Sequence, residues 1–263
     1  DATERLRLDG DLRRALGVED ELLAYYQPIV ALPGGEIVGM EALARWDHPE
    51  RGIVGPAEFI ATAEDSGAIL ALGDLMLRQA CRDAADWRTR LGERPFRVAV
   101  NLSPRQVCEP GLAEHVAAIL AQTGLPASAL ALELTESALM DESEIVAENL
   151  DRLKELGVGL VLDDFGTGYS SLAYLRRFPI DAIKIDRRFI AGLGHDTDDT
   201  TIVEAIVRMA AGLRLEVVAE GVETAEQMAI LDAMGCRLGQ GFLFSAAVAP
   251  PQAAALLGVA VRA

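Results

Sequence analysis

The sequence predicts an α/β fold, a TIM-like (β/α)8 barrel with an antiparallel first strand. Three observations predict it. Short apolar runs alternate with helical stretches along nearly all of the 263 residues, with short connections, and in one domain of this size that pattern favours a barrel over an open sheet. No Gly-x-Gly-x-x-Gly turn follows the first strand, as a dinucleotide-binding sheet would require. Pro33-Gly34-Gly35 joins the first two strands as a hairpin, which reverses the first one.

Residues 3–24 set Leu6, Leu8, Leu12, Ala15 and Leu16 among charges, with Gly10 and Gly17 as interruptions. We read a short helical lead-in. From it, and from the start at Asp1, residues 1–22 are expected to be a linker from an upstream domain and residues 23–263 the barrel. β-formers fill 22–31, and the second strand covers 36–46, ending in Met40-Glu41-Ala42-Leu43-Ala44-Arg45-Trp46. Residues 57–90 read as helix, broken near Ser66-Gly67. The strand 96–100 runs into Asn101-Leu102-Ser103-Pro104, and helix follows over 111–122. The next strand, from Leu130, carries Glu133 and ends in Thr135-Glu136. Residues 142–156 are helical, with Gly157 as the stop. Leu160 to Leu162 then delivers Asp163 and Asp164 into a loop with glycines at 166 and 168, which let the chain turn so that adjacent acids serve one site. Residues 179–186 hold Lys184, and 198–213 are a strongly periodic helix. The strand 215–219 leads to Glu220-Gly221-Val222-Glu223-Thr224, where Thr224 is placed to cap a helix ending near 234. A last strand, 236–239, precedes Gln240, and helix 251–257 closes the chain.

With 51% hydrophobic and 25% charged residues the chain buries a full core. Its net charge of -17 repels DNA, RNA and anionic membrane surfaces, so a nucleic-acid polymer is excluded as partner and an anionic small ligand needs intervening cations. No apolar run is long enough to cross a bilayer, and no membrane contact is expected within this segment. Three widely spaced cysteines fit neither a disulfide framework nor a zinc site, which points to a reducing compartment, the cytoplasm. The three histidines are unpaired in sequence, so any metal centre must be built from oxygen ligands and would hold magnesium, manganese or calcium.

A barrel gathers its functional groups at the C-terminal ends of the strands. Here those ends supply Glu41, Asn101, Glu133, Asp163, Asp164, Lys184, Glu220 and Gln240. Singly, each has a plainer reading: Glu41 or Glu133 as a salt-bridged rim residue, Asn101 as a turn former, Lys184 as a buried ion-pair partner. Together, so many carboxylates cannot share one mouth without cations. Five acids and an amide are about what two hexacoordinate ions need once waters complete the shells. Two such ions, roughly 3.5–4 Å apart, suit in-line displacement at phosphorus. The residues alone do not name the substrate.

Seven motifs in order resemble the EAL-domain cyclic di-GMP phosphodiesterases: Tyr-Gln-Pro-Ile at 26–29, Glu-Ala-Leu at 41–43 with Arg45-Trp46, Asn-Leu-Ser at 101–103 with Gln106, Glu-Leu-Thr-Glu at 133–136, Asp-Asp-Phe-Gly-Thr-Gly at 163–168 with Lys-Ile-Asp at 184–186, Glu-Gly-Val-Glu at 220–223, and Gln-Gly-Phe-Leu-Phe at 240–244. The resemblance implies hydrolysis of cyclic di-GMP to linear pGpG with two divalent cations, Mg2+ or Mn2+, and inhibition by Ca2+. It implies that Glu41, Asn101, Glu133 and Asp163 hold one ion and Asp163, Asp164 and Glu220 the other. Lys184 would position or polarise the attacking water and Glu220 would be its base, with Glu41 completing the catalytic set. Gln27, Leu43, Ala44, Arg45, Gly221, Val222, Glu223 and Gln240 would contact substrate, and Glu136 would anchor the loop Asp163–Ser171, which in this family joins the metal site to a dimer contact. A homodimer and an upstream regulatory domain are expected. The chain departs from the family pattern at Ser245-Ala246-Ala247, where a basic residue and a proline are usual. Two rivals are a binding module without turnover, which a missing ligand would favour, and a lyase using Lys184 as a Schiff base. No ligand is missing, and a lysine among carboxylates is held protonated rather than nucleophilic.

Overall fold

The computed structural model describes residues 2–92, 94–140, 143–166 and 172–258. In chain order its elements are α1 (Ala2–Ala15), β1 (Leu22–Ala31), β2 (Glu36–His48), β3 (Gly52–Val54), α2 (Pro56–Ser66), α3 (Ile69–Leu91), β4 (Arg97–Leu102), α4 (Pro104–Val107), α5 (Leu112–Thr123), β5 (Leu130–Thr135), α6 (Glu136–Leu139), α7 (Glu144–Leu156), β6 (Gly159–Phe165), α8 (Leu172–Arg177), β7 (Ala182–Ile185), α9 (Arg187–Ala191), α10 (Thr197–Leu213), β8 (Glu216–Ala219), α11 (Ala225–Met234), β9 (Leu238–Gly239) and α12 (Pro250–Leu256). The strands follow one another around a closed ring, β1, β2, β4, β5, β6, β7, β8, β9 and back to β1, with β3 appended to β2. β1 runs antiparallel to both of its neighbours, and the remaining ring pairings are parallel. This is the barrel that the opening hairpin predicts.

Alternation sorts each strand's side chains between two environments. Val98, Val100, Leu130, Leu132, Leu160, Leu162, Ile183 and Ile185 are buried in the main core. Ile29, Ala99, Ala131, Val161 and Ala182, from the intervening positions, form a separate small apolar cluster within the barrel. The helices end where their sequences say: Gly157 stops α7 in the left-handed region, and Thr224 caps α11 in a reciprocal capping box with Gln227. α1 rests on α2 and buries Leu12 and Ala15.

β1 has a weak hold on β9, pairing only at Val30 and Ala31. Side chains and a bridge take over along its upper half. Gln79 of α3 accepts from Ala24 N at 2.8 Å and donates to Leu22 O at 2.9 Å, while Tyr26 exchanges two backbone hydrogen bonds with Val248. The buried Tyr26 hydroxyl donates to Asp83 at 2.6 Å, and its ring meets Trp87 edge-on at 4.7 Å.

In three places the structure differs from the sequence reading. β2 continues past the barrel to His48 because β3 pairs with its outer end, so Glu41 is not at a strand terminus. The parallel pairing with β4 stops at Ala42, however, and Glu41 still sits at the barrel's edge. β6 does not release Asp163 and Asp164 into a loop; it carries them and Phe165 within the strand, past an irregularity in its pairing with β7. The short elements β3, α4, α6, α8 and α9 were not expected. Of the loop 163–171 assigned to Glu136, residues 167–171 lie outside the described residues.

Candidate active site

Two residues beyond the small apolar cluster, the same strands point Asn101, Glu133, Asp163 and Lys184 into the barrel, joined by Glu41 from β2 and by Glu220 and Gln240 just after β8 and β9. Lys184 stands at their centre, 1% exposed. Its Nζ lies 2.7 Å from Glu220, 2.9 Å from Glu133, 3.1 Å from Glu41 and 3.5 Å from Asp163. Glu41 also accepts from Asn101 Nδ2 at 2.8 Å and from Gln240 Nε2 at 2.7 Å. Gln240 Nε2 reaches Gln27 Oε1 at 3.0 Å, and Gln27 Nε2 donates to Ser245 O at 3.0 Å.

Crowding fixes the protonation of this layer. Burial lifts Glu133 well above the ordinary carboxylate range, and the neighbouring Glu41 adds to it. Burial acts on Glu41 too, but Lys184 and the amides of Gln240 and Asn101 hold it below its ordinary value. Glu220 is pushed up to about 7 and Asp164 to about 6, by burial first and by other acids second. Burial works against the Lys184 charge, yet Glu133, Glu41, Glu220 and Asp163 together keep its pKa well above that of a free lysine. One internal ammonium and shared protons therefore offset the acids when no divalent ion is present.

Asp164 adopts φ 54, a left-handed conformation uncommon for a residue other than glycine. That local twist, at the irregularity of β6, lets two consecutive carboxylates serve one site. Oxygens of Asp163, Asp164 and Glu220 all lie within 4.8 Å of one another. The donors are all oxygen, the group faces the barrel mouth, and the buried Gln240 Oε1 has no hydrogen-bond partner among the described residues. A hard divalent cation fits this chemistry. Glu136 accepts from Gly166 N at 3.1 Å, tying the end of β6 to the start of α6.

Two cavities open at this end and share Glu41 and Leu43. The larger, about 520 Å3, is walled by Ala44, Ile60, Ile69, Leu72 and Met76 beside Asn101 and Asp163. The smaller, about 220 Å3, is lined by Gln27, Glu220, Gly221, Glu223 and Gln240, and by two residues that the sequence reading gave no role, Arg187 and Phe242. The only sequence signal for Arg187 is its place after Lys184-Ile185-Asp186. Arg45 and Val222 line neither of these cavities. Arg45 donates to Ala44 O at 2.8 Å and lies over the Tyr25 ring, and the side chain of Val222 is fully buried. A third cavity, about 530 Å3, opens at the opposite pole and is lined by Ile29, Gly39, Ala99, Ala131, Val161 and Ala182.

The model of the EAL domain family matches residues 9–247. The chain is 49% identical over 244 residues to the cyclic di-GMP phosphodiesterase NbdA of Pseudomonas aeruginosa, covering 93% of this chain and 31% of that protein. It is 45% identical over 242 residues to the bifunctional diguanylate cyclase/cyclic di-GMP phosphodiesterase MucR of the same organism, covering 92% and 35%. The chain thus spans about a third of the length of these curated relatives. Among solved structures, the PaMucR phosphodiesterase in complex with c-di-GMP superimposes with a TM-score of 0.89 at 43% identity, over 94% of this chain and 99% of that one.

Proposed function

This chain belongs to the EAL domain family, and from that premise we propose that it is a phosphodiesterase that opens cyclic di-GMP to linear pGpG. The observation that carries the reading is the ring of four acids around Lys184 at the barrel mouth, with Asp164 beside two of them, flanked by two cavities that share Glu41 and Leu43. The named activities of NbdA and MucR, and the bound ligand of the PaMucR structure, support the substrate.

In this reading Glu41, Asn101, Glu133 and Asp163 would hold one divalent cation and Asp163, Asp164 and Glu220 would hold a second, Mg2+ or Mn2+. When bound, the ions supply charge neutralisation at the phosphate and a more acidic water. The chain's own groups do the rest. Glu220 accepts the proton of the attacking water, and Lys184, directed by its carboxylates, holds that water or a phosphate oxygen by an N–H bond. Oxygen from water joins phosphorus, the bond to the ribose 3′ oxygen breaks, and that oxygen takes up a proton. Gln27, Leu43, Ala44, Gly221, Glu223 and Gln240 line the two halves of the substrate site, Arg45 swings from Ala44 O to a phosphate, and Val222 serves through its backbone. Ca2+ in the same positions would support little turnover.

We further propose that the domain acts in the cytoplasm as a homodimer under the control of an upstream regulatory domain. Supporting this are the free thiols of Cys81, Cys108 and Cys236, the greater length of the relatives and the family resemblance. No described helix is long and apolar enough to cross a membrane. The test is incubation of the purified protein with cyclic di-GMP and Mg2+, with and without chelator, followed by chromatography. Chelator-sensitive pGpG is expected. Binding without pGpG would overturn the catalytic reading and make the domain a receptor, and the absence of both binding and pGpG would overturn the substrate as well.

A further inference from the structure

The cavity at the pole opposite the acid layer has no part in the hydrolytic chemistry. Its walls recur at every second residue of the strands, in tiers: Arg97 and Glu216 at the rim, Ala99 and Val218 in the middle, with Asn101 and Glu220 above them in the acid layer. Barrel interiors are ordinarily filled by bulky branched side chains. Here the middle tier sets Ala99, Ala131 and Ala182 beside Ile29 and Val161, and a space of about 530 Å3 is left between them. Packing does not demand such small residues, because a Cβ on Gly159 at the rim would meet Ala131 Cβ at 3.6 Å, an ordinary contact. The volume falls within the range of about 300–1,000 Å3 that small-molecule sites occupy. From Gly159 through Val161 to Asp163, at ~3.3 Å per residue and a strand tilt of about 36°, the depth is about 10 Å, the length of an extended chain of about eight carbons.

The charges around this space select a head group. Asp181 accepts from Lys154 Nζ at 2.7 and 2.8 Å, and Glu216 pairs with Arg97 at 3.3 Å. Glu133, in the ceiling, is held by the buried Lys184, so among the described lining residues no carboxylate is left to call for a cation. Arg88 is the opposite case. Its Nη1 donates to Phe96 O at 3.1 Å, and among the described residues no carboxylate pairs with it. The Arg97–Glu216 pair beside it is more than half exposed on both sides, too weakly held to keep Arg97 from an incoming anion. In a chain of net charge -17, an unmatched guanidinium at the edge of an apolar cavity fits an anion with an apolar body.

We propose that this cavity binds a medium-chain alkyl carboxylate, its head on Arg88 and Arg97 and its chain against Ile29, Ala99, Ala131, Val161 and Ala182, ending beneath Glu133. An alkyl chain supplies the wall contacts that an apolar space of this size forfeits, whereas water needs polar partners that the middle tier does not offer. The carboxylate gives Arg88 the planar pair of acceptors that a guanidinium matches. The chain and the head therefore divide the work, one giving affinity and the other direction of entry. The site is independent of which diester is hydrolysed at the mouth.

Calorimetric titration of the intact protein with sodium octanoate, 1-octanol and sodium acetate tests it. Octanoate is expected to bind once per chain, at least ~10-fold more tightly than octanol, which lacks the charged head, and at least ~100-fold more tightly than acetate, which lacks the chain. Arg88→Ala is expected to weaken octanoate by ~10-fold or more while octanol changes less than about threefold. Ala131→Leu, which grows into the cavity, is expected to weaken octanoate and octanol alike by ~10-fold or more. Unaltered melting temperatures exclude misfolding, and because Arg88 stands at the rim its variant decides the matter even where Ala131→Leu does not fold. A wild type with no saturable binding of octanoate overturns the proposal. Acetate bound as tightly as octanoate would mean an adventitious ion only, and octanol bound as tightly would mean a pocket without a head site; either result overturns it too. So does an octanoate Kd within about threefold of wild type in Arg88→Ala or in a folded Ala131→Leu, which would place the ligand elsewhere.

Discussion

Ala99, Ala131 and Ala182, and two residues later on the same strands Asn101, Glu133 and Lys184, occupy neighbouring layers of one barrel interior under different rules. The lower layer is made of side chains too small to fill it and leaves a cavity of about 530 Å3. Its positions are nearly interchangeable in chemistry and differ only in volume. In the upper layer every buried charge is there because another one is, and Lys184 at 1% exposure would be prohibitively placed without its four carboxylates. The pairing is therefore reciprocal. Barrel architecture supplies both layers, but only the upper one commits the protein to a chemistry.

The contrast is sharpest at Glu41. Glu41→Ala is expected to lower turnover of cyclic di-GMP by at least ~10^3-fold, about 4 kcal/mol of transition-state stabilisation, with the circular dichroism spectrum of the fold retained. Hydrolysis comparable to wild type would remove Glu41 from the catalytic layer. Lys184→Met strips the acids of their internal cation and is expected to cost about 3–5 kcal/mol of stability in chelator. Denaturation repeated in saturating Mg2+ should show a smaller loss, since divalent ions take over the neutralisation; an equal loss in both would mean that Lys184 serves packing alone.

A milder effect is expected at the anchor. Glu136→Ala releases Gly166 N and should raise the Mg2+ concentration for half-maximal activity by up to ~10-fold, about 1.4 kcal/mol, while melting in chelator stays unchanged. A lower melting point with unaltered Mg2+ dependence would make Glu136 a structural residue only. The smallest effect belongs to the lower layer. Ala131→Val grows into the cavity and is expected to shift stability by less than about 1 kcal/mol and kcat by less than twofold. If it abolished activity, the two layers would not be independent.

Much of the upper layer could be read from residue order because barrel strands are short and alternate. An acid two places beyond a small apolar residue, as in Ala131-Leu132-Glu133, has to lie in the interior near the mouth once the barrel is granted. The adjacent pair Asp163 and Asp164 defeated that logic. Alternation sends neighbours to opposite faces, and the remedy, a left-handed residue at an irregularity of β6, depends on pairing with β7 rather than on local sequence. Arg187 was invisible for a related reason. What distinguishes it from Arg188 is that Asp186 engages one of them and that Gly221 crowds the other, and both facts are tertiary. The short helices α4, α6 and α9 escaped because four or five residues give no helical period to detect.

The seam between β1 and β9 has a consequence in time. It joins Val30 to Gly239, and the Tyr26 bridge to Val248 lies further still along the chain, so the ring closes only when nearly the whole sequence is available. Closing so long a loop carries an entropic cost that no earlier contact of β1 with its partner offsets. A ribosome delivering these residues in order therefore leaves the hairpin β1–β2 with an open edge until β9 and Val248 have been made. The polar contacts of Gln79 with Ala24 and Leu22 cover part of that edge from α3, a helix that precedes β9 in the chain and so needs no later strand to be made.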